Sequence, residues 1–171
     1  MKAIFLDRDG TLVKDYPNEG WRKIEHLDLY PDTVEALRKL VEKFTLFIIS
    51  NQYLIGEGII TQEQFDRLNQ EFLQKLSSSG IKIEKTYYCP HARSLNCECC
   101  KPKPGLVKQC LKEYDIDLAG SYLIGNTKTD AETARAVNVK PIIIRSESKI
   151  ENTIQAKNLE EAVNKIMEKE G

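Results

Sequence analysis

The sequence has no long hydrophobic run and no large excess of charge of either sign. No stretch of its 171 residues approaches the roughly 18 consecutive apolar residues of a membrane-spanning helix. The short apolar run that follows Lys2 is broken by Asp7, which makes it too short for a signal peptide. The formal net charge is −1, so no basic field favours binding to nucleic acid or to an anionic membrane surface. We therefore expect a cytoplasmic protein without a membrane or nucleic-acid partner.

Internal repeats, low-complexity segments and a clear domain linker are absent as well. A chain of 171 residues can bury one sizeable core and is rarely long enough for two. Hydrophobic residues make up 41% of the sequence and charged residues 30%, which is ordinary for a globular protein. The expectation is one domain over residues 1–171, present as a monomer.

Short apolar stretches alternate along the chain with stretches of helical periodicity. Strands are predicted at residues 2–7, 45–50, 81–88, 121–125 and 140–145. Helices are predicted at residues 32–44, 61–76, 104–115, 129–138 and 158–170, the last of them after a polar stretch near residues 146–157. Because apolar strands alternate with helices, the pattern predicts an α/β fold in which a parallel sheet is covered by helices on both faces.

Polar residues follow four of the predicted strands. The carboxyl ends of parallel strands meet at one edge of the sheet, where ligands bind. The residues that follow the first four strands are, in order, Asp7, Asp9, Gly10 and Thr11; Ser50, Asn51 and Gln52; Lys101; and Asn126 and Asp130. Acids, hydroxyl groups and a lysine at one edge are the groups that phosphoryl transfer requires.

The two acids after the first strand can divide the work of that reaction. One carboxylate can attack phosphorus while the other handles the proton of the leaving group. Because a carboxylate and a dianionic phosphate repel each other, the site needs cations, which a lysine and Mg²⁺ on oxygen ligands can supply. Taken alone, DRDGT is also compatible with a turn that ends a strand, where Gly10 gives backbone freedom. Its partners after three other strands favour the catalytic interpretation.

Four segments, FLDRDGTLV, IISNQ, CKPKPG and IGNTKTD, resemble in order the motifs of the haloacid dehalogenase superfamily of phosphohydrolases. Within that superfamily the sequence is most similar to the D-glycero-D-manno-heptose 1,7-bisphosphate phosphatases, with the histidinol-phosphate phosphatases as close relatives. The resemblance covers roughly residues 2–145. It implies a Rossmann-like fold and a magnesium-dependent phosphatase that forms an aspartyl-phosphate intermediate. The implied substrate is a small sugar phosphate such as the heptose bisphosphate, and histidinol phosphate is the alternative.

The resemblance also implies a role for individual residues. Asp7 would be the nucleophile and Asp9 the general acid and base. Ser50 and Lys101 would bind the phosphoryl group. The remaining substrate-binding positions would be Asn51, Gln52 and Cys100.

The implied magnesium site departs from the family pattern. Its ligands would be the Asp7 carboxylate, the Asp9 backbone carbonyl and the residue at 126, with Asp130 four residues further on. The family has aspartate at the first of these two later positions, and this sequence has Asn126. A neutral amide should weaken magnesium binding. Three hypotheses follow: an enzyme with reduced magnesium affinity, which we favour because the catalytic acids are present; a site in which Asp130 substitutes; or a catalytically silent module that binds a phosphorylated ligand.

Four of the five cysteines lie between residues 89 and 100. In a reducing compartment such clusters more often bind metal than form disulfides. The resemblance implies a structural zinc ion held by Cys89, His91, Cys97 and Cys99, with no open position for water. This clip would fix the loop of residues 89–101, so that Lys101 reaches the phosphate in a defined position. Free thiols without metal, or a metal-sensing loop, are the alternatives.

Two further residues differ from the relatives, which usually carry arginine at both positions. Cys100 follows the zinc ligands, and Glu57 lies in the loop after the second strand, where we expect a solvated acid. Loss of two cations weakens the case for a bisphosphate substrate. The connections after the first and third strands are too short for a separate cap domain. The site should therefore be open, with loops around residues 13–30, 52–60 and 89–101 determining specificity.

Overall fold

Six strands form a single parallel sheet in the computed structural model, which describes residues 1–171. The strands are β1 (Ala3–Leu6), β2 (Thr45–Asn51), β3 (Ile83–Cys89), β4 (Tyr122–Gly125), β5 (Lys140–Ile144) and β6 (Ile154–Ala156). Their order across the sheet is β3-β2-β1-β4-β5-β6, and every neighbouring pair is parallel. The predicted α/β fold is confirmed.

The helices are α1 (Thr33–Leu40), α2 (Tyr53–Gly56), α3 (Gln62–Ser78), α4 (Gly105–Glu113), α5 (Lys128–Ala136) and α6 (Leu159–Glu170). Two predictions need correction. The first helix ends at Leu40 rather than residue 44, because the chain turns there and leaves Val41 only half-buried. The polar stretch before the last helix contains β6, a half-buried edge strand without the apolar run of a central strand.

Side chains of the central strands point alternately to the two faces of the sheet, as the strand geometry requires. Ile4 and Leu6 of β1 pack in a cluster with buried residues of α1, α3 and α6. Ala3 and Phe5 pack on the other face with residues of α4 and α5. The helices therefore cover both faces and hold the central strands rigidly.

The chain places β2 and β3 on one side of β1 and then crosses to place β4 on the other side. This reversal opens a crevice at the carboxyl ends of β1 and β4, which is where parallel sheets bind ligands. The connections around the crevice contain only the short helix α2 and the 3-10 turns at Asn18–Lys23 and Arg93–Leu95, and no cap domain covers it. No helix has both the length and the apolar character needed to cross a membrane.

Candidate active site

Lys101 contacts two acids at the centre of the crevice, one directly after β1 and one in the first turn of α5. Its Nζ lies 2.9 Å from Oδ1 of Asp7, 2.7 Å from Oδ1 of Asp130 and 2.9 Å from the carbonyl oxygen of Ile49. All three charged residues are buried. Burial opposes the charge on Lys101, but the carboxylates of Asp130 and Asp7 outweigh it and raise the lysine pKa. Lys101 therefore stays protonated and supplies a fixed positive charge beside Asp7.

Asp7 is held in an environment that disfavours its negative charge. Burial raises the pKa of its carboxyl group to about 7, an effect that Lys101 opposes and that Asp130 and Asp9 reinforce. A carboxylate with few solvent contacts is a stronger nucleophile than one that water surrounds, provided that nearby cations keep it ionised. The position of Asp7 suits it to attack a bound phosphoryl group.

Asp9 is held by neighbours from its own loop and from the end of β2. Nε of the buried Arg8 donates to its Oδ1 at 2.8 Å, and Nε2 of Gln52 donates to its Oδ2 at 2.8 Å. The same amide group of Gln52 donates to Oγ of Ser50 at 2.8 Å. Arg8 in turn lies over the ring of Phe65, 5.2 Å from its centroid. The Asp9 side chain remains 17% exposed, so it can still reach a ligand in the crevice.

The Thr11 hydroxyl group lies between the Oδ2 atom of Asp7 and the side chain of Asn126. Oγ1 of Thr11 lies 3.0 Å from Oδ2 of Asp7 and 3.4 Å from Oδ1 of Asn126. Two side-chain oxygens thus converge on one small region, and oxygen is the donor atom that Mg²⁺ prefers. These residues fit a magnesium ion, although Asn126 contributes a dipole where a carboxylate would contribute a charge.

Both oxygens of Asp130 are used by the protein. Oδ1 accepts from Lys101, while Oδ2 accepts from the main-chain N–H groups of Asn126 and Thr127 and from the Thr127 hydroxyl. Together with Thr127 it forms a capping box at the start of α5. This arrangement fixes Lys101 relative to β4.

Asn51 holds the main chain of Lys101. Its Nδ2 donates to the Lys101 carbonyl oxygen at 3.1 Å, and its Oδ1 accepts from the Lys101 N–H at 2.8 Å. The last residue of β2 therefore fixes the end of the cysteine loop from outside that loop. Asn51 is predicted to bind substrate, and these contacts give it a positioning role for Lys101 as well.

Four predicted zinc ligands converge in the loop before Lys101. The ligand atoms of Cys89, His91, Cys97 and Cys99 all lie within 4.8 Å of one another. Sγ of Cys89 is 3.3 Å from Sγ of Cys97 and 2.9 Å from Sγ of Cys99, and no disulfide is formed. A tetrahedral zinc with Zn–S bonds of about 2.3 Å separates its ligands by roughly 3.7 Å. The set of three thiols and one imidazole fits such an ion, which would hold the Cys89 thiol somewhat further from the Cys97 and Cys99 thiols.

A pocket of about 400 Å³ opens above the catalytic edge. Of the predicted residues, Asp7, Asp9, Asn51, Gln52, Cys100, Lys101 and Asp130 line it. Ser50, which is buried, and Asn126, which is half-buried, are not among the lining residues. The remaining wall residues were not predicted as site residues: Asp15, Asn18, Trp21, Tyr53, Leu54, Arg93, Thr127 and Thr129.

Glu57, expected as a solvated loop acid, keeps some exposure to solvent but also has a specific partner in Arg93. Its carboxylate accepts from Nε of Arg93 at 2.8 Å and from Nη2 of the same residue at 3.0 Å. Since Glu57 and Arg93 belong to segments 36 residues apart, no local pattern reveals the pair. The only available signal was that both residues fall in loops expected to border the site.

Comparisons with known proteins agree with this geometry. A family model described as HAD-hydrolase-like matches residues 98–166. A probable D-glycero-D-manno-heptose-1,7-bisphosphate 7-phosphatase of Thermoplasma volcanium is 36% identical over 147 residues, which cover 85% of this chain and 99% of that protein. The histidine biosynthesis bifunctional protein HisB of Blochmanniella floridana is 33% identical over 144 residues, which cover 82% of this chain and 40% of HisB.

The fold has a close counterpart among solved structures. The D,D-heptose 1,7-bisphosphate phosphatase from B. bronchiseptica, complexed with magnesium and phosphate, superposes with a TM-score of 0.88 over 99% of both chains, at 22% identity. By sequence and by fold, the chain belongs to the haloacid dehalogenase-like hydrolases, on the branch of phosphoric monoester hydrolases that contains the heptose-1,7-bisphosphate 7-phosphatases and HisB.

Proposed function

We propose that the protein is a magnesium-dependent phosphatase that hydrolyses a phosphomonoester of a small sugar phosphate, with D-glycero-D-manno-heptose 1,7-bisphosphate as the leading candidate. The observation that carries the proposal is the buried Asp7–Lys101–Asp130 network with Asp9 beside it at the carboxyl end of β1. The 36% identity to the Thermoplasma relative supports the choice of substrate.

The reaction begins with attack of the Asp7 carboxylate on phosphorus, which forms an O–P bond as the ester P–O bond breaks. Asp9 donates its proton to the departing oxygen. Asp9 then takes a proton from water, whose oxygen attacks the phosphorus of the aspartyl-phosphate and releases inorganic phosphate and the free Asp7 carboxylate. Lys101 offsets the charge of the phosphoryl oxygens throughout, and the Ser50 hydroxyl donates a hydrogen bond to one of them.

The residues proposed to hold Mg²⁺ are Asp7, through its carboxylate, Asp9, through its main-chain carbonyl, and Asn126, through its amide oxygen. When bound, the ion supplies positive charge that keeps Asp7 ionised and offsets the phosphate. Because both Asp130 oxygens accept hydrogen bonds from protein groups, we assign Asp130 the task of positioning Lys101. Asp130 as a direct ligand remains the alternative.

Zinc bound to Cys89, His91, Cys97 and Cys99 is proposed to be structural. Four protein ligands complete a tetrahedron and leave no position for a reacting water. Its effect on catalysis is to limit the freedom of the loop that ends at Lys101. A cytoplasmic location, a monomeric state and a single domain over residues 1–171 stay predictions.

Histidinol phosphate is the second candidate substrate. The similarity to HisB over 82% of the chain favours it, as does the acidic and aromatic wall formed by Asp15, Trp21 and Tyr53, which suits a cationic substrate. A catalytically silent phosphate-binding module is the third candidate, because Asn126 in place of an aspartate removes one negative charge from the metal site and should weaken magnesium binding.

Phosphate release from a panel that contains the heptose bisphosphate, other sugar phosphates and histidinol phosphate tests these candidates while Mg²⁺ is titrated. We expect the heptose bisphosphate to give the highest kcat/KM. A higher kcat/KM for histidinol phosphate than for the sugar phosphates would identify the protein as a histidinol-phosphate phosphatase. Binding without turnover at every magnesium concentration would establish the silent module. Asp7→Asn should abolish turnover of every compound in the panel, and Asp66→Asn, which alters an exposed carboxylate on α3, is its control.

A further inference from the structure

Arg93 is a cation on the pocket wall that the catalytic chemistry does not use. It lies in the 3-10 turn of the cysteine loop, and its guanidinium group lies over the ring of Tyr53, 4.3 Å from the centroid. Nε and Nη2 donate to the carboxylate of Glu57. Nη1 has no partner within the protein, and the side chain is 56% exposed. One edge of the guanidinium group is therefore free to meet a ligand.

The pocket offers no other free cation. Of the residues that line it, only Lys101 and Arg93 carry positive charge, against the carboxylates of Asp7, Asp9, Asp15 and Asp130. Lys101 is buried between two of these acids and serves the phosphoryl group that is transferred. Arg93 is therefore the cation in the pocket wall that is available to bind a second phosphate of the substrate.

The position of Arg93 is fixed before any ligand binds. Gly56 allows the loop after β2 to lie against the cysteine loop, since a Cβ at this position would collide with the main-chain nitrogen of Ala92. Oε1 of Glu57 also accepts from the main-chain N–H of Arg93 at 3.3 Å. A cation that is already oriented loses little side-chain entropy on binding.

We propose that Arg93 selects for substrates that carry a second phosphate, and that Glu57 and Tyr53 orient its guanidinium group toward that phosphate. This inference rests on the proposed phosphatase function and assigns Arg93 as the residue that contacts the phosphate that is not transferred. Because Glu57 already offsets part of the charge on Arg93 and water reaches the pair, the contact is a moderate one. We expect it to contribute about 5- to 10-fold in affinity.

The test compares D-glycero-D-manno-heptose 1,7-bisphosphate with the corresponding 7-phosphate. For each protein, the ratio of kcat/KM values for the two compounds measures selectivity for the second phosphate. Arg93→Ala should lower this ratio about 5- to 10-fold, mainly through KM for the bisphosphate, and Arg93→Lys should retain part of it. Arg22→Ala is the matched control, because Arg22 is also an exposed arginine paired with a glutamate and contacts the same loop at Gly58, but it does not line the pocket.

Calorimetry of the same two ligands with Asp7→Asn protein, with and without Arg93→Ala, separates this inference from the phosphatase proposal. If the wild type shows no turnover but the ratio of affinities for the bisphosphate and the 7-phosphate still depends on Arg93, the proposed function would be wrong and the inference about Arg93 would stand. Normal turnover with a ratio that Arg93→Ala leaves unchanged would overturn the inference alone. An equal loss for both compounds would also overturn it, since that result indicates a loop defect.

Discussion

Nζ of Lys101 lies 2.7 Å from Oδ1 of Asp130, and both residues are buried at the base of the pocket. The contact joins the end of the cysteine loop to the start of α5, elements that are distant in sequence. A second contact of the same nitrogen, with Asp7, makes this lysine the counter-charge for two buried acids. Its removal should therefore affect stability as well as catalysis.

Lys101→Met should lower kcat/KM at least 100-fold, because the phosphoryl charge loses its fixed counter-charge. It should also lower the free energy of unfolding by about 3 kcal/mol, since two buried carboxylates lose the cation that they share. Phosphate release and urea denaturation measure the two effects. Lys103→Met is the matched control, because Lys103 pairs with Glu98 at the surface, and it should change neither quantity appreciably. A stable Lys101→Met protein with wild-type kcat would contradict this role.

Asn126→Asp should lower the magnesium concentration that gives half-maximal activity by about 10-fold, because a carboxylate adds a negative charge beside Asp7. Magnesium titration of phosphate release measures the shift. The same substitution at Asn138, an exposed residue after α5, should leave the titration unchanged. If the Asn126→Asp titration matched that of the wild type, the amide would not limit metal affinity.

Purified protein should contain about one zinc ion per chain, as measured by elemental mass spectrometry. Cys97→Ser or a strong chelator should remove it, lower the melting temperature and reduce phosphate release, because the loop that positions Lys101 is no longer fixed. Cys100→Ser should retain zinc, since Cys100 is outside the four-residue cluster. Full stability after complete removal of zinc would show that the cluster is not a structural site.

Asp32 lies between Arg145, which follows β5, and the first turn of α6, and it should make the free energy of unfolding depend on pH. Its Oδ1 accepts from Arg145 at 2.6 Å, and its Oδ2 accepts from the N–H of Glu160 at 3.1 Å. Burial raises the pKa of Asp32, but the Arg145 guanidinium and the Glu160 N–H outweigh it and hold the pKa below its usual value.

The stabilisation is therefore present above the unfolded-state pKa of about 4 and is lost as the pH falls through the lower folded-state pKa. Asp32→Asn should destabilise the protein by about 1 kcal/mol at pH 7, after allowance for solvent screening. Denaturation at several pH values should show this difference shrinking below about pH 4. A difference that grows in acid would mean that the ion pair is not the cause.

The sequence was informative where local chemistry determines structure. Central strands such as β1 and β5 are continuous apolar runs, because both of their faces are covered, and the acids that follow β1 can only lie at the catalytic edge. Strand β6 escaped prediction because an edge strand of three half-buried residues carries no such run. The segment after Leu40 was assigned to a helix because its apolar spacing continues beyond the point where the chain turns.

Within the site, the residues at strand ends were predictable and the contacts between loops were not. The pairing of Glu57 with Arg93 depends on how two loops pack, which neither segment encodes by itself. The positions of Thr11 between Asp7 and Asn126 and of Arg8 beside Asp9 depend in the same way on the three-dimensional turn after β1.

Acid-quenched turnover followed by mass spectrometry of the peptide that contains Asp7 is the most direct test of the central claim. The protein should be mixed with the heptose bisphosphate and Mg²⁺ and quenched before the steady state. We predict a phosphoryl group on Asp7 that is absent from Asp7→Asn, a variant that should also release no phosphate. Steady phosphate release by Asp7→Asn, or by wild-type protein whose Asp7 never carries a phosphoryl group, would contradict the account.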